Sequence, residues 1–170
     1  MIYAIVAVDS NWGIGFQGQV LERIPEDMKY FKDLTVNKTV IMGRKTWDGL
    51  QAKPLYDRNN IILSTTYPEG TWAYGDNYYV RFTPEMTEQE WEAFKTDSDD
   101  IFIIGGGQVY EQLLPLCDKI YITKIEKEYS YVDTYFPNLD EDPNWEVSTC
   151  TELKEYNNIH YAFLTYDRIS

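Results

Sequence analysis

Runs of apolar and β-branched residues recur along the chain and predict strands. Several of these runs are continuous rather than alternating, which is typical of strands that are buried on both faces of a sheet. The runs lie at residues 2–8, 39–42, 60–64, 78–82, 101–104, 119–125, 146–150 and 160–166.

Segments with helical periodicity lie between these runs, at residues 25–34, 44–50, 87–95 and 107–114. Strand–helix–strand alternation predicts an α/β fold with a mostly parallel, twisted sheet. The last two runs are separated only by a turn-forming cluster at residues 155–158, so the chain should end in an antiparallel hairpin. No repeat or linker interrupts the pattern, and we expect a single domain over residues 1–170.

Composition narrows the class of protein. The 170 residues carry a formal net charge of −13, which argues against nucleic acid or an anionic membrane as a partner, because both bind basic surfaces. No apolar run reaches about 20 residues and no signal-like segment opens the chain, so we expect a cytoplasmic protein. Cys117 and Cys150 show no ligand-like spacing to each other or to His160, which predicts neither a disulfide framework nor a metal site.

Asp27 is the first candidate for chemistry. Asp27, Phe31 and Leu34 share one face of the helix that Pro25 is suited to begin. An isolated acid in a first turn more commonly complements the helix dipole, but Glu26 already fills that role. A carboxylate among aromatic residues needs a cationic or hydrogen-bonding partner, and a ligand with an amidine-like or guanidine-like edge would supply one.

Two of the predicted buried strands run through glycine into a helix. Residues 43–46, Gly-Arg-Lys-Thr, combine helix-start amides with two cations and a hydroxyl; they suit a nucleotide phosphate, or equally a tight turn with solvated cations. Residues 105–107 are three consecutive glycines, expected where backbone bends sharply or lies against a group such as a pyrophosphate. Val109 and Tyr110 occupy the later positions of the Gly-x-Gly-x-x-Gly dinucleotide pattern, so a standard Rossmann unit is not predicted.

Residues 11–19 form a long, glycine-punctuated segment directly after the first strand. Such a segment can be a plain surface loop. Because it leaves the strand end where ligands bind in open α/β sheets, we interpret it as a mobile lid over the site.

Six segments occur in an order and spacing that point to one enzyme family: residues 4–7 with 13–15, 24–28 with 31–32, 40–47, 58–64, 104–110 and 133–137. Together they resemble dihydrofolate reductase over nearly the whole chain. The small bacterial form of that family has an eight-stranded sheet flanked by about four helices, and the resemblance implies the same fold here. It also implies a monomer that binds NADPH and reduces 7,8-dihydrofolate to 5,6,7,8-tetrahydrofolate, by hydride transfer to C6 and protonation of N5.

The resemblance implies a role for each matched residue. Asp27, the implied catalytic residue, holds the pterin through its 2-amino group and N3, with Thr123 assisting through water, while Arg58 pairs with the α-carboxylate of the substrate's glutamate. The other implied substrate-binding residues are Ile5, Ala7, Phe31, Leu50, Lys53 and Ile104. The implied cofactor-binding residues are Ala7, Ile14, Gly15, Gly18, Gln19, Gly43, Arg44, Lys45, Thr46, Leu63, Ser64, Thr65, Ile104, Gly105, Gly106, Gly107, Gln108, Val109 and Tyr110.

Within the cofactor set, Arg44, Ser64 and Thr65 match the positions that read the adenosine 2′-phosphate, which favours NADPH over NADH. Residues 45–46 would contact the cofactor phosphates. Residues 105–110 would follow the pyrophosphate and the nicotinamide, with an unusual peptide between the first two glycines.

Some positions depart from the family pattern. Leu21 and Glu22 stand where many relatives have a Pro-Trp pair, and Glu22 either adds a second acid near the pterin or faces solvent. Gly49 replaces a hydroxyl residue, and Gln108 replaces a cation near the adenine.

Two other functions stay open from the sequence. One is a riboflavin-pathway reductase, which would act on a ribosylated pyrimidine. The other is a nucleotide-binding module without catalysis. Asp27 and Arg58 favour folate over the first, and a protein that binds NADPH alone would not need Asp27.

Overall fold

The computed structural model describes residues 1–96 and 99–169, in which strands and helices alternate as the sequence predicts. The helices are α1 (Pro25–Thr35), α2 (Arg44–Gly49), α3 (Glu88–Thr96) and α4 (Gly107–Leu113). The strands are β1 (Ile2–Val8), β2 (Gly13–Phe16), β3 (Gln19–Val20), β4 (Thr39–Gly43), β5 (Asn59–Leu63), β6 (Gly70–Tyr74), β7 (Tyr78–Thr83), β8 (Ile101–Gly105), β9 (Lys119–Ile125), β10 (Thr134–Tyr135), β11 (Trp145–Cys150), β12 (Lys154–Tyr156) and β13 (Ile159–Arg168).

Most of the strands form one large sheet. Its order is β11-β13-β9-β1-β8-β4-β5-β7-β6, with β12 also paired to β13. The central strands, from β9 to β7 in this order, are parallel. All eight predicted strands lie in this sheet, which confirms the α/β class, and β6 and β12 extend it to ten strands within the described residues. β2, β3 and β10 form a separate small sheet.

The chain ends in antiparallel strands, which confirms the predicted hairpin. Asn157 and Asn158 connect β12 to β13 with φ angles of 48° and 63°, values that asparagine tolerates better than most residues. β13 is long enough to pair with both β12 and β11 on one side and with β9 on the other.

Helices cover both faces of the sheet, which explains the continuous apolar runs. Along β1, Ile2 and Ala4 join one core cluster, whereas Tyr3 and Ile5 join the cluster on the opposite face. α3 and α4 contribute to the first cluster, and α1 and α2 contribute to the second. Among the described residues, no helix is both long enough and apolar enough to cross a membrane.

Asp9 follows β1 directly and fixes the chain segments at the carboxyl end of that strand. Its side chain is 1% exposed, and its carboxylate accepts hydrogen bonds from the backbone amides of Asn11 (2.9 Å), Gly13 (2.7 Å) and Tyr129 (3.2 Å). A Cβ atom on Gly13 would lie 3.0 Å from Asp9 Oδ1 and 2.8 Å from a methyl group of Val132, so the packing requires glycine there. Asp9 therefore ties the end of β1 to the segment after β9.

We predict that Asp9→Asn lowers the melting temperature. The amide nitrogen of asparagine would face the Tyr129 amide, and losing an acceptor for a buried donor costs about 1–3 kcal/mol, or roughly 2–12 °C for a domain of this size. Circular dichroism at pH 7 measures the change. Asp76→Asn, at an exposed turn position, removes the same charge as a control. Equal melting temperatures for the two variants would contradict the role of Asp9.

Candidate functional site

Asp27 lies in the first turn of α1 and faces the sheet. Thr123 of β9 donates a 2.5 Å hydrogen bond from its hydroxyl to Asp27 Oδ1. The neighbouring acid has different partners: Glu26 accepts a 2.7 Å hydrogen bond from Tyr161 and forms a 3.1 Å ion pair with Lys154. In the described part of the chain, Asp27 forms no ion pair.

These surroundings shift the pKa values of Asp27 and Glu26 in opposite directions. Burial raises the pKa of Asp27, and the hydrogen bond from Thr123 opposes that shift without reversing it. Hydrogen bonds from Tyr161 and Lys154 lower the pKa of Glu26. The ionised form of Asp27 is thus poorly stabilised by the protein alone, and a ligand that donates hydrogen bonds or carries positive charge would stabilise it.

The predicted apolar pocket residues lie in two hydrophobic clusters to which α1 contributes. Ile5, Phe31, Leu50 and Ile104, all predicted substrate-binding residues, pack in the same core cluster. Ala7 packs in the adjacent cluster, together with aromatic side chains of α1 and β13. The structure therefore packs four of the predicted apolar pocket residues together on the face of the sheet to which α1 contributes.

Arg58 is buried just before β5. Its side chain is 7% exposed, donates to the carbonyl oxygen of Tyr56 (2.8 Å) and the hydroxyl of Thr35 (3.2 Å), and lies 6.0 Å from the ring of Phe31. Burial lowers the pKa of Arg58. Within the described residues, no carboxylate forms a salt bridge with this guanidinium, so part of its donor capacity is left for a ligand.

The two glycine turns lie side by side, because β4 and β8 are neighbours. A Cβ atom on Gly43 would lie 3.0 Å from a methyl group of Val109 and 3.9 Å from the amide nitrogen of Gly106. Gly105 has φ +118°, and the Gly105–Gly106 peptide is cis, which confirms the prediction of an unusual peptide there. Gly43 and Gly106 are the N-cap residues of α2 and α4, and neither helix start has a side-chain cap. Backbone amides of both helices therefore remain available at one place.

The neighbouring strands β4 and β5 are each followed by polar residues that are predicted to contact the adenosine phosphate. Gly43 of β4 is paired with Leu63 of β5, so Arg44 and Ser64 follow from adjacent positions. Ser64 is 7% exposed, whereas Lys45 and Thr65 are exposed. The hydroxyl of Thr46 lies 3.3 Å from where a Cβ atom on Gly106 would be, which places Thr46 beside the second glycine turn.

The segment predicted to be a lid is a short hairpin formed by β2 and β3. Asp133 fixes it, because the Asp133 amide donates to the carbonyl oxygen of Gly15 (3.0 Å) and its carboxylate accepts from the amide of Gln17 (2.9 Å). A Cβ atom on Gly49 would lie only 2.8 Å from the carbonyl oxygen of Gly18. Glycine at the end of α2 therefore lets the hairpin contact that helix.

The chain matches a family model described as dihydrofolate reductase over residues 1–168. It is 33% identical to the dihydrofolate reductase of Bacillus subtilis (strain 168), covering 99% of this chain and 95% of that protein. It is 38% identical to the dihydrofolate reductase of Drosophila melanogaster, covering 98% and 97% of the two chains. It is also 36% identical to a bifunctional dihydrofolate reductase-thymidylate synthase of Daucus carota, of which it spans only 33%.

The chain belongs to the dihydrofolate reductase family. It is accordingly an NADPH-dependent oxidoreductase of folate metabolism.

Glu22, which departs from the pattern of the dihydrofolate reductase family, lies near the buried hydroxyl of Tyr129. Burial, and then the charge of Glu22, raises the pKa of Tyr129. The structure thus places Glu22 against Tyr129, in the segment after β9, a contact that the sequence did not predict.

Two predicted positions have contacts that the dihydrofolate reductase pattern did not indicate. Lys53 is exposed and donates to the carbonyl oxygens of Trp47 and Asp48, each at 3.2 Å, so it caps the end of α2. Gln19 accepts a 3.1 Å hydrogen bond from Arg23. Gln108 is exposed on α4.

Sequence reasoning missed three polar contacts around the site. Tyr110 donates a 2.6 Å hydrogen bond to the carbonyl oxygen of Ile5. Asp9 and Asp133 fix the loop segments described above. Each contact joins residues that are distant in sequence or lie in irregular segments, so no periodic pattern pointed to it; only the turn-forming character of the segments could have drawn attention to Asp9 and Asp133.

We predict that Asp27→Asn stabilises the ligand-free protein at neutral pH. A raised folded-state pKa gives stability that is present at low pH and lost as pH rises through that pKa, so the charged native residue destabilises the fold at neutral pH. The variant should melt higher than the natural chain at pH 8, and the difference should shrink toward pH 4.

Glu26→Gln is the matched control, since the pKa of Glu26 is lowered. Its stabilising contribution is present at high pH and lost as pH falls, so this variant should melt lower than the natural chain at pH 8. Thermal scans of the three proteins at both pH values test the signs. A lower melting temperature for Asp27→Asn at pH 8 would contradict the prediction.

Proposed function

We propose that the region between the start of α1 and the carboxyl ends of β1, β4 and β8 is where this chain reduces 7,8-dihydrofolate to 5,6,7,8-tetrahydrofolate. The observation that carries the proposal is the Asp27 carboxyl, placed against Thr123 with no counter-ion among the described residues. The pterin edge, with a 2-amino group next to N3–H, supplies two parallel donors for such a carboxylate.

In this proposal, the remaining substrate contacts follow from the cluster around Asp27. Ile5, Ala7, Phe31, Leu50 and Ile104 line the pterin and aminobenzoyl pocket, as their packing in two adjacent clusters supports. Arg58 binds the α-carboxylate of the glutamate, supported by its burial without a carboxylate partner in the described residues. Lys53 stays a predicted contact at the outer end.

The two glycine turns fit NADPH. A Cβ atom on Gly43, Gly105 or Gly106 would press on Val109, Tyr110 or Thr46, so glycine lets the two helix starts lie close together. The uncapped amides of α2 and α4 form the proposed phosphate cradle there. Such donors bind phosphate without adding charge to the protein. The proposed cofactor contacts in this cradle are Gly43, Arg44, Lys45, Thr46, Leu63, Ser64, Thr65, Ile104, Gly105, Gly106, Gly107, Gln108, Val109 and Tyr110. Those on β1 and the hairpin are Ala7, Ile14, Gly15, Gly18 and Gln19.

NADPH, when bound, supplies the hydride that C6 of the substrate accepts. The chain itself binds and orients the substrate and the cofactor, and it excludes water. Asp27 holds the pyrimidine side of the pterin and raises the basicity of N5, which takes its proton from water. The β2–β3 hairpin, which reaches the end of α2, limits the access of bulk solvent while leaving room for that water.

We further propose that residues 1–170 act as one domain and as a cytoplasmic monomer without a nucleic-acid partner. One continuous sheet and a family match over residues 1–168 support the first statement. Cys117 and Cys150 are both free, as in a reducing compartment. The net charge of −13 opposes binding to nucleic acid.

We predict that Asp27→Asn lowers kcat/KM for dihydrofolate by about 10²–10⁴-fold, because its amide cannot accept two parallel donors or carry the charge. The assay follows NADPH oxidation at neutral pH, and fluorescence titration shows whether NADPH binding is retained. Asp33→Asn, at an exposed position on the same helix, is the control. Full activity of Asp27→Asn would contradict the assignment. A natural chain that binds NADPH but leaves dihydrofolate unreduced would overturn the substrate and favour a ribosylated pyrimidine.

We predict that Arg58→Lys raises KM for dihydrofolate by about 10–100-fold with a smaller change in kcat. Lysine cannot reproduce the planar, bidentate contact with a carboxylate. A dihydropterin that lacks the aminobenzoylglutamate tail is the matched control substrate, and its KM should be unchanged. If both substrates lose affinity equally, Arg58 supports the pocket rather than binding the tail.

A further inference from the structure

Asp48 connects α2 to the loop between β5 and β6. One carboxylate oxygen of Asp48 forms a 3.0 Å ion pair with Arg44, four residues earlier in α2. The other accepts a 2.5 Å hydrogen bond from the hydroxyl of Tyr67, which lies 19 residues away in sequence. Both oxygens are therefore engaged, one by each side of the predicted phosphate-binding region.

Tyr67 is itself fixed on two sides. Its ring packs against Phe82 with centroids 5.1 Å apart, and Phe82 also contacts the ring of Trp47 at 5.5 Å. The hydroxyl oxygen of Ser64 accepts hydrogen bonds from the amides of Thr66 (3.0 Å) and Tyr67 (3.3 Å). The phenol is thus held by the same short segment that contains Ser64.

The contact between Arg44 and Asp48 would do little alone. Both side chains are 38% exposed, and an exposed ion pair between residues four apart contributes only about 0.3–0.5 kcal/mol. A flexible arginine also loses rotamer freedom when it binds an anion. Because Tyr67 fixes the orientation of Asp48, the guanidinium is ordered before any ligand arrives.

We propose that Asp48 and Tyr67 are positioning residues that hold Arg44 beside Ser64 for the adenosine 2′-phosphate, and so set the preference for NADPH over NADH. The proposal rests on the function proposed above. Within the described residues, Arg44 uses only Nη1 in this contact, so its other N–H groups are available to a phosphate. In a chain with a net charge of −13, an ordered cation is needed to attract a dianionic group.

The test compares Tyr67→Phe with Tyr74→Phe. Tyr74 lies on β6, is 43% exposed and stacks on Tyr78. Its variant is the control because it also removes one tyrosine hydroxyl. With saturating dihydrofolate, Tyr67→Phe should lower kcat/KM for NADPH about 5- to 10-fold, mostly through KM, and leave the value for NADH unchanged. Tyr74→Phe should change neither.

A double-mutant cycle separates positioning from a general structural effect. Asp48→Asn and Tyr67→Phe act through the same chain of contacts, so the double variant should lose no more NADPH preference than Asp48→Asn alone. Equal losses with NADPH and NADH, or additive losses in the cycle, would overturn the proposal. A natural chain that fails to reduce dihydrofolate with NADPH would instead overturn the function itself, whereas an active chain whose preference survives Tyr67→Phe overturns only this inference.

Discussion

The hydrogen bond between Asp27 and Thr123 is the contact on which the candidate site depends. It joins the first turn of α1 to β9, a strand that comes 96 residues later in sequence. The bond forms only because α1 packs its Phe31 face on the sheet and because β9 lies beside β1. One neutral hydroxyl does not compensate for burial, and the carboxyl is left with an unmet requirement for donors. The fold thus holds a functional group in a place that only a ligand makes favourable.

Binding of a polyanionic cofactor by an acidic chain is a matter of where the charges lie. α3 carries Glu88, Glu90 and Glu92, and it packs with the core cluster on the face opposite α1 and α2. Exposed charges more than about 8 Å apart are largely screened at physiological ionic strength. The nearby groups therefore dominate: backbone amides of two helix starts, and the cations of α2. A net charge of −13 opposes the attraction of an extended polyanion more than that of a small ligand held by local donors.

Sequence patterns predicted the features that depend on local sequence and the strands that are buried on both faces. Eight of the ten strands described in the large sheet were predicted. The central ones, such as β1, β4 and β8, gave continuous apolar runs because core clusters cover both faces of the sheet there. The shorter strands were missed for a physical reason: β6 and β3 expose most of their side chains, and β10 exists only through pairing with β2 across the molecule. The glycine turns and Asp27 could be predicted from residue type and spacing. Asp9, Tyr67 and Asp133 could not be found in this way, because their contacts join segments that are distant in sequence.

Three acids, one of them in the candidate site, show why spacing in the sequence alone does not assign a role. Glu26 and Asp27 are adjacent in one helical turn, yet Glu26 is neutralised by Lys154 and Tyr161 while Asp27 has a single hydroxyl donor. Asp48 binds a cation as Glu26 does, but that cation is itself predicted to bind a ligand. An acid whose partner is a structural lysine stabilises the fold, and an acid without a cation creates a binding site. An acid that orients a ligand-binding cation acts on specificity while touching no ligand. Which of these holds is decided by the contacts that other elements of the fold supply, from β12 and β13 for Glu26, from β9 for Asp27 and from the loop between β5 and β6 for Asp48.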